Sequence, residues 1–101
     1  MTVIYQFAWD PRKATGNRRK HGVDFEQAAT VFLDPLQVTV LDESHSSRDE
    51  ERWVTLGQTG NGALLVVVHT YREINDNEAL IRLISARPAT KCEQQNYEAG
   101  V

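Results

Sequence analysis

The sequence predicts an α+β fold in the order β-α-α-β-β-β-β-α, an antiparallel sheet packed by two N-terminal helices and a C-terminal helix. Three observations lead to that class. Helix caps with helical composition or spacing mark the chain between Asp10 and Pro35 and again after Pro88. From Gln37 to Ala86 apolar residues alternate or run together in short stretches separated by turn residues. Helices and strands are therefore segregated along the chain, unlike the regular strand–helix alternation of a doubly wound parallel sheet. At 101 residues the chain is expected to form one domain, residues 1–101, around one modest core.

"TVIYQFAW" (Thr2–Trp9) is β-branched and aromatic with alternating polarity, and reads as the first strand. Asp10 and Pro11 then supply an N-cap carboxylate and a first-turn proline, so a helix opens there. The segment Arg12–His21 is helical by composition but has only a narrow inward stripe: Ala14, Asn17 and the stem of Arg18. Gly22 ends it as a residue tolerant of positive φ. A second helix begins at Asp24, with Gln27 placed to complete a capping box. Its Phe25, Ala28, Ala29 and Phe32 fall on one face, and Asp34–Pro35 stops it.

Beyond Pro35 the period changes to two. Gln37–Leu41 and Arg52–Gly57 read as strands, divided by the polar loop Asp42–Glu51. "QTGNG" (Gln58–Gly62) is a hairpin turn. Ala63–Tyr71 is apolar on both faces over its first half, as expected of a central strand. Arg72–Glu78 reads as a second turn, Ala79–Ala86 as the last strand, and the tail after Pro88 as a short helix ending near Glu98.

The formal net charge of −3 conceals an uneven distribution. Residues 1–21 hold five Lys/Arg against one acid, whereas residues 22–101 hold six against thirteen. A pI near 5.5 gives no whole-molecule attraction to nucleic acid, but a local basic face survives because salt screens fields beyond ~8 Å. The longest apolar run, Ala63–Val68, is of strand length and far short of the ~20 residues that cross a bilayer. With no signal-like N-terminus and one cysteine, Cys92, a cytoplasmic protein without disulfides and without a membrane partner is expected.

No glycine-rich phosphate loop, HExxH, CxxC or G-x-S-x-G elbow occurs. His21, His45 and His69 lack metal-ligand spacing, so neither a metal nor another cofactor is expected. What remains is a set of cations at strand and helix ends. Arg72 and Arg82, on strands joined by a turn, can converge on one anion, for which the guanidinium fork is well shaped. The plainer alternative pairs Arg82 with Glu73 or Glu78 on the sheet surface. His69 follows the valine run, where a histidine is either a packing residue or a group that titrates near neutrality. Glu50, Glu51 and Arg52 read equally as solvated loop charges.

The run "FAWDPRKATGNRRKHGVDFEQAATVFLDP" (Phe7–Pro35) resembles the N-terminal segment of the BrnT toxin family. The shared pattern is F-x-W-D-x-x-K, N-x-x-K-H-G-V-x-F-E-x-A and V-F-x-D-P. "HS…EERWVTLG" (His45–Gly57), "LLVVVHTYR" (Leu64–Arg72), "IRLISARPAT" (Ile81–Thr90) and the later Tyr97–Glu98 continue the similarity in order. The resemblance implies a toxin of a type II toxin–antitoxin system with a RelE-like fold. Its activity would be that of a ribonuclease that arrests translation, acting on RNA either free or at the ribosome. It also implies neutralisation by a ribbon-helix-helix, BrnA-like antitoxin, through which alone the complex contacts operator DNA.

Metal-independent cleavage needs a base for the 2′-OH, cations for the phosphorane-like transition state and an acid for the leaving 5′-oxygen. Within the resemblance, Arg72, Arg82 and Arg87 take the charge-stabilising role, and His69, His45 or Glu51 the acid–base roles. Arg19, Lys20, His21 and His45 are expected to guide the RNA backbone, with Lys20 or His21 as the alternative source of the acid. The alternative is a toxin-like binding protein without cleavage, acting with the antitoxin in operon repression. Direct DNA binding through Arg12–His21 is disfavoured, because the helix after it is acidic and apolar rather than a recognition helix.

Overall fold

The first strand hands directly to a capped helix. The computed structural model describes residues 3–46 and 50–100, the side chain of His45 excepted. Strand β1 (Ile4–Trp9) leads into Asp10, whose carboxylate accepts from the Arg12 amide at 2.8 Å. Pro11 opens helix α1 (Pro11–His21), and Gly22 closes it at φ 70° with its amide on the Arg18 carbonyl. A left-handed cap of that kind is free of steric cost only for glycine. Helix α2 (Phe25–Ala29) follows and tightens into a 3-10 turn over Thr30–Leu33. The capping box expected at Asp24 and Gln27 is absent, because Arg18 engages the Asp24 carboxylate at 2.6 Å. A capping box does form at the other end of the chain, between Thr90 and Glu93, where it opens helix α3 (Lys91–Glu98).

The remaining elements are β2 (Val38–Leu41), a 3-10 turn at Glu43–His45, β3 (Arg52–Gln58), β4 (Leu64–Thr70), β5 (Arg72–Asn75) and β6 (Glu78–Pro88). Two expectations are corrected here. Arg72–Glu78 is not a turn throughout: its first four residues form β5, which folds back on β6 through a tight turn at residues 76–77. The sheet is also not wholly antiparallel. Its order is β1-β6-β4-β3-β2 with β5 also on β6, and β1 lies parallel to β6, from Ile4 opposite Glu78 to Trp9 opposite Leu83. That pairing joins the two ends of the chain, so no turn residue announces it. The α+β class, the three helices and the central place of β4 stand. The strand start at Thr2 lies outside the described residues.

The sheet has two unlike faces. Alternation sends Tyr5, Phe7 and Trp9 of β1, Trp53, Thr55 and Gly57 of β3, Leu65, Val67 and His69 of β4, and Ile81 and Leu83 of β6 to one side. There they meet Val23, Phe25, Ala28, Val31 and Phe32 of the helical layer in one core. Each such apolar side chain, fully buried, contributes about 1.5–3 kcal/mol. Phe32 sits at the centre, 5.6 Å from the Phe7 ring and 4.8 Å, edge-on, from the His69 ring. Gly57 lets the helical layer approach: a Cβ there would lie 3.2 Å from both Val31 Cβ and the Val31 carbonyl.

Helix α1 docks on β6 through a single polar residue. Beyond the Trp9–Leu83 pair β1 has ended, and β6 runs on with its edge open. Asn17, 6% exposed, fills that position, accepting from the Ala86 amide at 3.0 Å and donating to the Ala86 and Val23 carbonyls at 2.8 and 3.0 Å. A side-chain amide thus replaces a strand residue; of the stripe expected on α1, Asn17 is buried and Ala14 packs against the core, whereas Arg18 is exposed and turned to Asp24.

Candidate active site

The opposite face of the sheet is covered by α3 (Lys91–Glu98) at one end only, and toward the other end it carries Arg52, Thr70, Arg72 and Arg82. Arg52 pairs with Thr70 across β3 and β4, and Ala8 pairs with Arg82 across β1 and β6. Keeping the register of His69 with Leu83 sets Thr70 opposite Arg82. Arg52, Thr70, Arg82 and Ala8 therefore form one row across four strands. With strands ~4.8 Å apart, Arg52 and Arg82 stand about 10 Å from each other at the backbone. Arg72, opposite Leu80 on the same face, is displaced by two residues from Thr70, about 7 Å along the strand.

None of these three guanidinium groups has a hydrogen bond or ion pair among the described residues. The surface-pair alternative for Arg82 is not realised, since Glu78 holds Gln6 and Asn75 instead. Arg72 and Arg82 are exposed and Arg52 is half-buried. Three unneutralised cations around one threonine, on a face carrying Val54, Val68 and Leu80, form a surface suited to an extended phosphodiester with its bases against apolar side chains. Arg52 was not singled out by the sequence. The alternation of Arg52, Val54 and Leu56 was the signal that placed it on a sheet face and not in the charged loop before it.

Two expected catalytic residues lie elsewhere. His69 is 2% exposed and belongs to the core face, opposite the arginines. Its Nε2 is 2.7 Å from Thr55 Oγ1 and its Nδ1 is 3.0 Å from the Thr70 carbonyl, and burial lowers its pKa from the ordinary histidine value. An imidazole so enclosed cannot reach a substrate on the open face, so its role as a catalytic acid or base is withdrawn. Arg87 lies five residues beyond Arg82 on β6, roughly 16 Å away. Both of its terminal nitrogens bind Glu93 of α3 at 2.8 Å, a bidentate pair that holds the Glu93 carboxyl at about 2. Arg87 thus fastens α3 and is not gathered with Arg72 and Arg82.

Helix α3 crosses that far end of the sheet from β6 to β3. Besides Glu93 it is held by Tyr97, whose hydroxyl donates to Asp34 Oδ2 at 2.5 Å. The same oxygen accepts from the Gln58 amide at 2.8 Å, and Oδ1 from the Leu36 amide at 2.9 Å. Partial burial pushes the Asp34 carboxyl up, but these donors outweigh it and the net shift is downward. The neighbouring carboxylate raises Tyr97 to about 12.

The remaining basic residues of the first helix divide similarly. Arg18 is neutralised by Asp24, while Arg19 and Lys20 are exposed and His21 half-buried, with no ion pair among the described residues. Glu51 is exposed and directly precedes Arg52, just before β3 begins. The His45 side chain, expected to touch RNA, lies outside the described residues. Among those described, no group of His, Cys, Asp and Glu is placed to hold a metal ion, and no helix is long and apolar enough to cross a membrane.

The family model described as the ribonuclease toxin BrnT of type II toxin–antitoxin systems matches residues 9–93. The chain belongs to the BrnT family. That membership brings an antitoxin as partner and RNA as substrate at the level of the family. The crystal structure of the ribonuclease toxin BrnT from Brucella abortus superposes with a TM-score of 0.59 at 20% identity, covering 88% of this chain and all of that one. At that identity the likeness speaks to the fold, and it supports the mixed sheet and three helices found here. No curated protein sequence matches the chain.

Proposed function

We propose that this BrnT-family chain is a metal-independent endoribonuclease with a RelE-like fold, working on the open sheet face and arresting translation until an antitoxin covers that face. The single observation that carries the reading is the row of Arg52 and Arg82 flanking Thr70, with Arg72 beside it, all without anionic partners among the described residues. In the proposed reaction the ribose 2′-oxygen attacks the adjacent phosphorus and loses its proton to a base. The bond from phosphorus to the 5′-oxygen breaks, and that oxygen takes a proton from a solvent water and leaves as a hydroxyl. The products are a 2′,3′-cyclic phosphate and a 5′-OH end.

Arg72 and Arg82 stabilise the charge that builds on the non-bridging oxygens, and Arg52 holds the neighbouring phosphate. Glu51 is the carboxylate nearest the row in sequence and serves as the base. Arg19, Lys20 and His21 extend the contact to the RNA backbone. The antitoxin is expected to be a ribbon-helix-helix protein whose toxin-binding part is acidic, complementary to the arginine row.

Expression of this chain alone in growing bacteria tests the reading. Growth arrest with fragmented RNA, both relieved by the cognate antitoxin or by Arg82→Ala, is the expected result. Undisturbed growth and intact RNA with well-folded protein would instead assign the chain to antitoxin binding without cleavage.

A further inference from the structure

We propose that His69 is a positioning residue for the arginine row, holding the backbone at Thr70 so that Arg72 and Arg82 share one face at fixed spacing. The proposal rests on the ribonuclease reading for its functional consequence, though not for its structural content.

The ladder between β4 and β6 is interrupted where the arginines converge. Its register shifts between Val68 and His69, and the pairs end at His69 with Leu83. They resume at Arg72 with Leu80, in β5. Thr70 and Tyr71, which in that register face Arg82 and Ile81, have no paired residue on β6. This two-residue gap is the point from which Arg72 departs and against which Arg82 stands. A strand segment lacking its ladder on one side needs another constraint, and the His69 ring provides one through the Thr70 carbonyl at 3.0 Å.

The chemistry of that bond fixes the ring completely. A carbonyl can only accept, so Nδ1 carries the hydrogen and the neutral ring presents a lone pair at Nε2. Thr55 Oγ1, 2.7 Å away, must then donate to Nε2, and its own oxygen is left to accept from Thr39 Oγ1 at 2.8 Å. The chain Thr39, Thr55, His69, Thr70 has one consistent hydrogen-bond direction across β2, β3 and β4. Phe32 packs edge-on to the ring at 4.8 Å and prevents it from turning. A space-filling core residue requires none of this, and a leucine there would leave the buried Thr55 hydroxyl and the Thr70 carbonyl without the bonds His69 gives them. Misplacing a charge-stabilising group by about 1 Å costs roughly 10²-fold in rate, so a backbone constraint two residues from Arg72 has a catalytic consequence.

The test compares His69→Asn, His69→Gln and His69→Leu in the full chain. Asparagine keeps a donor near the position of Nδ1, glutamine puts its amide near Nε2, and leucine keeps neither. Single-turnover cleavage of a short RNA should fall by about 10²-fold in kcat for Gln and Leu, with KM little changed, and recover in Asn. In NMR spectra of the free protein the Arg72 and Arg82 Nε–H signals should shift in Gln and Leu and return in Asn, and the His69 ring should show the Nδ1–H tautomer. Equal rates for Asn and Gln, or a wild-type ring protonated at Nε2, would overturn the proposal. If the wild-type chain cleaves no RNA the ribonuclease reading fails, and the arginine signals and tautomer then decide the positioning role by themselves. Should the leucine variant not fold, the Asn–Gln pair still decides.

Discussion

His69 and Arg82 lie on opposite faces of one sheet although their strands are neighbours: His69 pairs with Leu83, the residue directly after Arg82. That one-residue offset separates the two groups the sequence would most readily combine into an active site. It leaves the open face to arginines and encloses the imidazole among Phe32, Thr55 and the Thr70 carbonyl. Side chains of successive strand residues point to opposite sides, so no local movement reunites them.

The arginine row should be separable from the fold. Arg52→Ala, Arg72→Ala and Arg82→Ala each remove from the open face a side chain without a partner among the described residues, so melting temperatures should stay within a few degrees of wild type. Cleavage should fall by ~10²–10³ for Arg72 and Arg82, the cost of losing one charge-stabilising group. Arg87→Ala should do the reverse, loosening α3 while leaving the chemical step largely unchanged. Calorimetry and single-turnover kinetics on the same preparations check both halves.

Asn17 should matter more for stability than any charged residue of its helix. Replacing it with alanine leaves the amide and carbonyl of Ala86 without their bonds to the Asn17 amide. A buried unsatisfied group costs about 1–3 kcal/mol. For a domain of this size each kcal/mol lowers the melting temperature by roughly 4–8 °C. Arg19→Ala or Lys20→Ala, on exposed positions of the same helix, should leave the melting temperature essentially where it is.

The attachment of α3 should respond to pH at both extremes. The folded Glu93 carboxyl, held at about 2 by Arg87 and the Thr90 hydrogen bonds, lies below the ordinary glutamate value of 4.5. A depressed carboxyl stabilises the fold fully above its unfolded pKa, and that contribution disappears as pH falls from about 4.5 toward about 2. Tyr97 behaves oppositely. Raised to about 12 by Asp34, it stabilises the fold below the ordinary value of 10.0 and loses that contribution as pH rises toward about 12. Glu93→Gln should remove the acid-side response and Tyr97→Phe the alkaline one, read from amide exchange within Lys91–Glu98.

Gly57→Val should be poorly tolerated for a steric reason unconnected with the open face. Its side chain would enter the 3.2 Å gap to Val31, and overpacking of that kind costs about 1–3 kcal/mol. Thermal unfolding of the variant checks the magnitude.

The structure also shows why parts of this molecule were readable in advance. Helix α1 was legible because Asp10, Pro11 and Gly22 are caps whose chemistry acts within a few residues. The alternation of β3 was legible for the same reason, because burial on a pleated strand repeats every second residue, and β4 was legible from its unbroken apolar run. Strand β1 against β6 was not, because the pairing of Trp9 with Leu83 spans most of the chain and leaves no local trace. Strand β5 was hidden by its composition, since Arg72, Glu73, Ile74 and Asn75 are all exposed and offer no buried side to detect. Asn17, Asp34 and Tyr97 belong to the family pattern, and each is used in docking one element on another. Lys20 and His21, from the same pattern, have no ion pair among the described residues and remain available to RNA.

The most direct test of the central claim is cleavage of RNA by the purified chain, without antitoxin and in the presence of a metal chelator. The expected products are fragments ending in 2′,3′-cyclic phosphate and 5′-OH, formed as fast with chelator as without it, and lost in Arg82→Ala protein of unchanged melting temperature. Intact RNA with folded wild-type protein, or equal cleavage by the Arg82→Ala variant, would contradict the claim.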